Sequence, residues 1–132
     1  VVDREGKGKA DAGEWGSAAC ALQQALGRDG SDAWASASHA CALRTDDGHQ
    51  LAKHLRAANL RASGIGRPGA EGDAMNGIGL GTNEIVRSGL ATNNMDELAA
   101  LIAAAIQTET PADLANEVSA FRQRFTGVHF AN

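Results

Sequence analysis

Few side chains in this 132-residue chain have catalytic or ligating potential, and their spacing decides what they can do. His49 and His54 lie five residues apart, which places them on different faces of a helix, and neither belongs to an HExxH pattern that would hold zinc. No metal site is expected. His39 stands among small residues in ASASHACA, the setting of a structural histidine unless another element brings it a partner. Cys20 and Cys41 are too far apart for a CxxC site, and no serine falls in a GxSxG elbow. Gly64-Ile65-Gly66-Arg67-Pro68-Gly69 satisfies the GxGxxG spacing. A dinucleotide site also needs a helix to open at the third glycine, so that its N–H groups face the pyrophosphate. Here Pro68, Gly69 and Gly72 lead into a loop, and the motif reads as a flexible turn.

The elements that must position these residues follow from capping signals and apolar spacing. Ser17 caps AACALQQAL, in which Leu22 and Leu26 share a face and Gly27 is the stop. Residues 34–43 read as an extended segment. Asp47 and Gln50 form a capping-box pattern ahead of GHQLAKHLRAAN, with Leu51, Leu55 and Ala58 on one face and Asn59 as a left-handed stop. Residues 60–65 read as a short strand, followed by the loop GRPGAEGD. A second short strand fits residues 77–82, where Ile78 and Leu80 alternate with glycines. Asn94 and Glu97 form a further capping pattern before a helix over residues 95–106, whose apolar stripe is Met95, Leu98, Ile102 and Ile106. Thr110 caps the last helix, Pro111 sits in its first turn, and Leu114, Val118, Phe121 and Phe125 form its buried face. The order α-β-α-β-β-α-α predicts an α+β fold, a small three-stranded, mostly antiparallel sheet with helices packed on one side.

Composition bounds the role. Residues 1–13 are charged and glycine-rich and read as a disordered lead-in, leaving residues 14–132 as one domain. Of the apolar residues 27 are Ala, and only 28 are Val, Ile, Leu, Met, Phe or Trp. Burying an alanine removes little area, and burial yields only about 25 cal/mol per Å². The core is therefore thin, which favours a domain that docks on something larger. A net charge of −4 and scattered basic residues argue against a nucleic-acid-binding face. No run approaches the ~18 apolar residues of a membrane span, and the start is not that of a signal peptide. Two cysteines without a pairing signal fit free thiols, and a cytoplasmic protein is expected.

Three segments together resemble a known family. GIGLGTNEIVRSGLATNNMDELAALIAAAI, residues 77–106, resembles the serine hydroxymethyltransferase stretch in which a Gly-Ile/Leu-Arg-Leu/Ile-Gly-Thr strand precedes a turn, an arginine-containing segment and a capped helix. ADLANEVSAFRQRFTGVHF is similar to the closing helix and tail of that family. Ser38-His39 and GHQLAKHLRAANLRASGIG resemble its histidine-bearing strand, the following helix and the next strand. The resemblance covers roughly residues 15–130, the C-terminal small domain of the family. NEIVRSG is closest to the hydroxymethyltransferase-like branch, which includes α-methylserine enzymes and threonine transaldolases.

The resemblance implies pyridoxal-phosphate chemistry, in which the cofactor, carried on a lysine, acts as an electron sink for an amino-acid α-carbon that adds to or is released from an aldehyde. The family's cofactor lysine belongs to its large domain, and Lys7, Lys9 and Lys53 lack that context. The chain is therefore expected to be the small subunit of a split hydroxymethyltransferase- or transaldolase-type enzyme. Its partner would be a separate large pyridoxal-phosphate-binding subunit, in a heterodimer or heterotetramer that acts on a small amino-acid-like substrate. The alternatives are a non-catalytic stabilising or regulatory module and a fragment of a longer single-chain enzyme. By the same resemblance, Arg87, Thr82, Asn83 and His39 are the substrate-binding candidates. The arginine that grips the substrate carboxylate in the family falls on Gly79. Either Arg87 or the partner supplies that charge, or the substrate has no carboxylate there, or the domain binds none.

Overall fold

The computed structural model describes residues 33–35, 40–67, 71–81 and 83–128. The expected lead-in and the helix expected from Ser17 lie outside them. Four short strands, β1 (Ala33–Ala35), β2 (Ala40–Arg44), β3 (Ser63–Ile65) and β4 (Gly77–Gly81), form an antiparallel sheet in the order β1-β2-β4-β3. Four helices accompany it: α1 (Gly48–Ala57), α2 (Asn83–Arg87), α3 (Met95–Gln107) and α4 (Ala115–Gln123). The α+β class and the three antiparallel strands β2, β3 and β4 are as the sequence implies. The extended segment at residues 34–43 is divided, and its first part, β1, adds an edge strand beside β2.

Local chemistry explains the helix ends. Asp47 is extended, and its Oδ1 accepts the Gln50 N–H at 3.0 Å, which starts α1. Asn59 adopts φ 64°, the left-handed stop expected of it. Its side-chain amide also donates to the Ala115 carbonyl and to Ser119 Oγ, so the residue that ends α1 ties it to α4. Two expected caps take another form. Asn94 Oδ1 accepts from the Ala91 N–H, because residues Thr92–Asn94 form a 3-10 turn that already leads into α3. Thr110 makes no side-chain cap, and its N–H donates instead to Thr108 Oγ1; Pro111–Leu114 is a 3-10 turn before α4.

Strand register sets the core. Leu43 of β2 and Ile78 of β4 are direct partners and are fully buried on one face, under Leu55 and Ala58 at and just beyond the end of α1 and under Ala99, Ala103 and Ala105 of α3. A second cluster, Leu90, Met95, Leu101, Val118 and Phe121, joins α3 to α4 and to the segment after α2. α3 thus packs on two sides. That is why it buries Met95, Leu101 and three alanines, while Leu98, Ile102 and Ile106 of the expected stripe are only half-buried. Val118 and Phe121 of α4 are buried, with Leu114 and Phe125 beside them, as expected.

Glycines allow α1 to seat closely. A Cβ on Gly64 would lie 2.7 Å from the carbonyl carbon of Gly48 and from the His49 nitrogen. The first turn of α1 therefore rests directly on β3 backbone, a contact that any larger residue would block. Among the described residues no helix is long and apolar enough to cross a membrane.

Candidate functional site

The β4-to-α2 segment carries most of the residues that the sequence marks. β4 ends at Gly81, and Asn83 opens α2. Thr82 and His39 lie outside the described residues, and Asn83 is described by its backbone alone. Arg87 closes α2. Its side chain is about half exposed and lies 3.9 Å from the Glu84 carboxylate one turn earlier. An ion pair this long and this wet contributes little to stability.

Gly79 sits at the centre of β4, between Ala42 of β2 and Ser63 of β3. It faces away from α1 and α3, because its neighbours Ile78 and Leu80 point to the core. An added Cβ would meet Ile65 Cγ2 at 3.2 Å and Cδ1 at 3.5 Å. A side chain there needs the isoleucine to yield slightly, and the backbone sets no obstacle. Glycine at this position is thus a matter of sequence, not of space.

An apolar groove of about 620 Å³ runs along the β3–β4 edge beside α2, α3 and α4, with Ser63 and Gly79 among its lining. Leu60, Gly81, Ile85, Ile102 and Phe121 line it, and Glu84 and Arg122 stand at its margin. Such a groove can hold apolar groups and exclude water from a neighbouring reaction.

The histidines divide as their spacing predicts. His49 is exposed, whereas His54 is half-buried, and its Nε2 lies 2.9 Å from the Ala105 carbonyl near the C-terminus of α3. That carbonyl lacks an intrahelical partner, so His54 is a helix clasp between α1 and α3. Among the described residues there is no cluster of His, Cys, Asp or Glu that could hold a metal. The GxGxxG segment opens no helix within the described residues: Gly64 and Ile65 end β3, and residues 66–67 and 71–76 are neither helix nor strand. Two features had no flag in the sequence: the helix α2, and the position of Arg67 against Gly77. The first could have been read from Asn83 and Glu84 at the start of NEIVR. The second has no local signal.

The described part does not fit pyridoxal phosphate by itself. Its one lysine, Lys53, is exposed on α1, and no lysine, metal cluster or histidine-activated nucleophile is assembled. What the geometry defines is a helix-backed antiparallel sheet with a glycine-rich central strand. The chain is similar along almost its whole length to proteins of one name. These are alpha-methylserine aldolases, one from Ralstonia sp, 34% identical over 98% of this chain and 32% of that protein, and two from Variovorax paradoxus, each 37% identical over 98% of this chain and 31% of that protein. No family model matches. The chain spans about a third of the length of these curated relatives.

Proposed function

We propose that this chain is the small-domain third of a serine hydroxymethyltransferase-like, pyridoxal-phosphate-dependent aldolase acting on a β-hydroxy-α-amino acid of the α-methylserine type. The observation that carries this reading is its similarity, along 98% of the chain, to alpha-methylserine aldolases. The β4–α2 unit supports it, because that segment also bears the resemblance to serine hydroxymethyltransferases.

The reaction is an aldol cleavage. The Cα–Cβ bond of the substrate breaks, the hydroxymethyl carbon leaves as formaldehyde, and a proton takes its place on Cα. Pyridoxal phosphate, which the large part of the enzyme would hold, would supply an electron sink for Cα. The contribution of this chain is to bind the polar ends of the substrate, orient the scissile bond and keep water away. Transfer of the one-carbon unit to an acceptor, as in a hydroxymethyltransferase or transaldolase, is the finer variant; cleavage is the variant favoured by the names of the relatives. The thin alanine core and the glycine-lined face suit a surface made to dock on a large cytoplasmic subunit.

The test supplies that large part in trans. Co-expression with the pyridoxal-phosphate-binding large subunit, followed by size-exclusion and a formaldehyde-release assay on α-methylserine, should give a complex that is active only with both chains. Independent elution, with no effect on the activity of the large subunit, would overturn the proposal. Gly79 favours a second reading, a module that stabilises the complex without touching substrate. Gly79→Arg and Arg87→Ala variants separate the two, because under that reading neither changes KM.

A further inference from the structure

Asn76-Gly77 is the one Asn-Gly pair in the sequence, and it carries a reactivity of its own. Glycine has no Cβ to crowd its nitrogen, so in a mobile chain that nitrogen easily reaches the side-chain amide of a preceding asparagine. The Gly77 nitrogen attacks Asn76 Cγ and gives up its proton. The Cγ–Nδ2 bond breaks, and Nδ2 leaves as ammonia with that proton. Water then opens the five-membered imide at either of its two carbonyls, which leaves aspartate or isoaspartate at position 76. Water is the only co-reactant.

The fold governs when this can happen. Asn76 stands just before β4 and is half-buried. Its Oδ1 accepts the Arg67 N–H at 2.8 Å, and its main-chain carbonyl accepts the Thr45 N–H at 3.1 Å. Gly77 is buried and paired on both sides, with Arg44 of β2 and Ile65 of β3. Attack requires the face of the Gly77 nitrogen to turn onto Cγ. That means rotating a peptide that the ladder holds and freeing an amide that Arg67 holds. Both are released when the start of β4 opens locally. Residues 71–74 just before it are exposed, so such an opening uncovers little there and costs less than global unfolding.

The two products differ in what they leave behind. Aspartate keeps the main chain and offers a carboxylate oxygen to the Arg67 N–H in place of the amide oxygen. Isoaspartate routes the main chain through Cβ and Cγ, which adds one atom ahead of Gly77. Gly77 has no room for that shift. Its carbonyl oxygen lies so close to Gly48 that even a Cβ there would fall far inside contact distance, and the place of its own Cβ is 2.7 Å from Arg67 Cγ. Isoaspartate must therefore lift the first turn of α1 or break the ladder at Gly77.

We propose that Asn76-Gly77 is a self-modification site, a deamidation switch that the hydrogen bonds of Asn76 hold off and that local opening at the start of β4 releases. It is independent of the catalytic reading of the chain.

The test incubates the folded chain, with and without urea below its unfolding transition, beside a synthetic peptide of residues 73–80 in the same solvents. Position 76 is followed by peptide mass spectrometry that separates aspartate from isoaspartate. The folded chain should convert more slowly than the peptide by a factor of roughly 10–1,000, which corresponds to a local opening of about 1.4–4 kcal/mol. Urea below the transition should narrow that gap. Equal rates in chain and peptide would show that the fold does not hold Asn76. Conversion only as fast as global unfolding allows would show that no local opening reaches it; either result overturns the proposal. The isoaspartate form, isolated after incubation, should have a lower Tm than the unmodified chain, whereas Asn76→Asp should stay close to it. An isoaspartate form with unchanged Tm, or an N76D variant as unstable as that form, refutes the switch.

Discussion

Replacing Gly48 with alanine tests how closely α1 is seated on the sheet. A Cβ at Gly48 would fall well inside contact distance of the Gly77 carbonyl oxygen, 2.9 Å from Gly64 Cα and 3.0 Å from the Met75 carbonyl oxygen. All three are backbone atoms, so no flexible side chain can swing aside. In favour of the variant, alanine for glycine gains at most about 1 kcal/mol of helix propensity, and less at the first helical position. Against it, the first turn must lift from β3 and β4. That strains or breaks the 2.7 Å bond from the Gly48 N–H to the Met75 carbonyl, worth about 1 kcal/mol, and overpacking adds roughly 1–3 kcal/mol. The clash outweighs the propensity, and a net loss of about 1–3 kcal/mol is expected. With a urea m-value of about 1–2 kcal/mol/M, the midpoint followed by circular dichroism should fall by roughly 1 M. Gly72→Ala is the control. Gly72 has φ 57° and open space around it, so only left-handed strain of about 1 kcal/mol applies. A G48A midpoint at or above wild type, or a G72A variant that loses more than G48A, would refute the packing argument.

Leu55→Ala removes a fully buried side chain that touches both the sheet and α3, and should cost about 2–5 kcal/mol in urea unfolding. Asp47→Ala deletes the cap of α1 and should cost about 1 kcal/mol, while Asp47→Ser should recover most of it. Arg124 holds Glu97 in a two-pronged pair at 2.7 and 2.9 Å and lies over the rings of Phe121 and Phe125. The hydrogen bond from Arg124 lowers the Glu97 pKa below its ordinary 4.5. A depressed carboxylate stabilises the fold above its unfolded pKa and loses that contribution as pH falls through the folded value. The Tm gap between wild type and Arg124→Gln should therefore be constant near neutral pH and narrow below about pH 4.5, with a remnant from ring contact; a gap that does not change with pH would sink the assignment.

The parts of the fold that were legible in the sequence are those set by local chemistry. Asp47 before an apolar period and Asn59 after it bounded α1, and Val118 with Phe121 identified the buried side of α4, because caps and 3.6-residue spacing act within a few residues. The sequence was misleading where long-range packing decides. The alanines of α3 look like filler beside Leu98 and Ile102, yet Ala99, Ala103 and Ala105 are the fully buried α3 residues in the cluster with α1 and the sheet, and Ile102 and Ile106 pack at its edge. Small side chains let helices approach closely, and no hydrophobic stripe announces that. The cap at Asn94 was misjudged because the preceding 3-10 turn redirects its side chain to Ala91. At the candidate site, Gly79 was visible as a departure from a family pattern. Arg67 was not, because its place over Gly77 depends on how the loop before β4 is pinned by Asn76.

The two faces of the sheet carry opposite economies of side chain. Five of the eight buried residues in the sheet-facing core cluster are alanine, so Leu43, Leu55 and Ile78 supply most of its apolar area. On the opposite face, Gly77 and Gly79 supply none, and Arg67 brings a charged group with an unbonded donor. A domain selected only for its own stability would gain from larger residues on both faces, since each buried methylene is worth about 0.8 kcal/mol. At Gly79 the backbone would allow one, with only a small movement of Ile65. Ala42, the register partner of Gly79, is only 1% exposed and Gly77 is buried, so this face is closely covered and its small residues set how near the cover approaches. Alanine on one face and glycine on the other thus serve one physical end, close approach of what packs against the sheet, at the cost of buried apolar area.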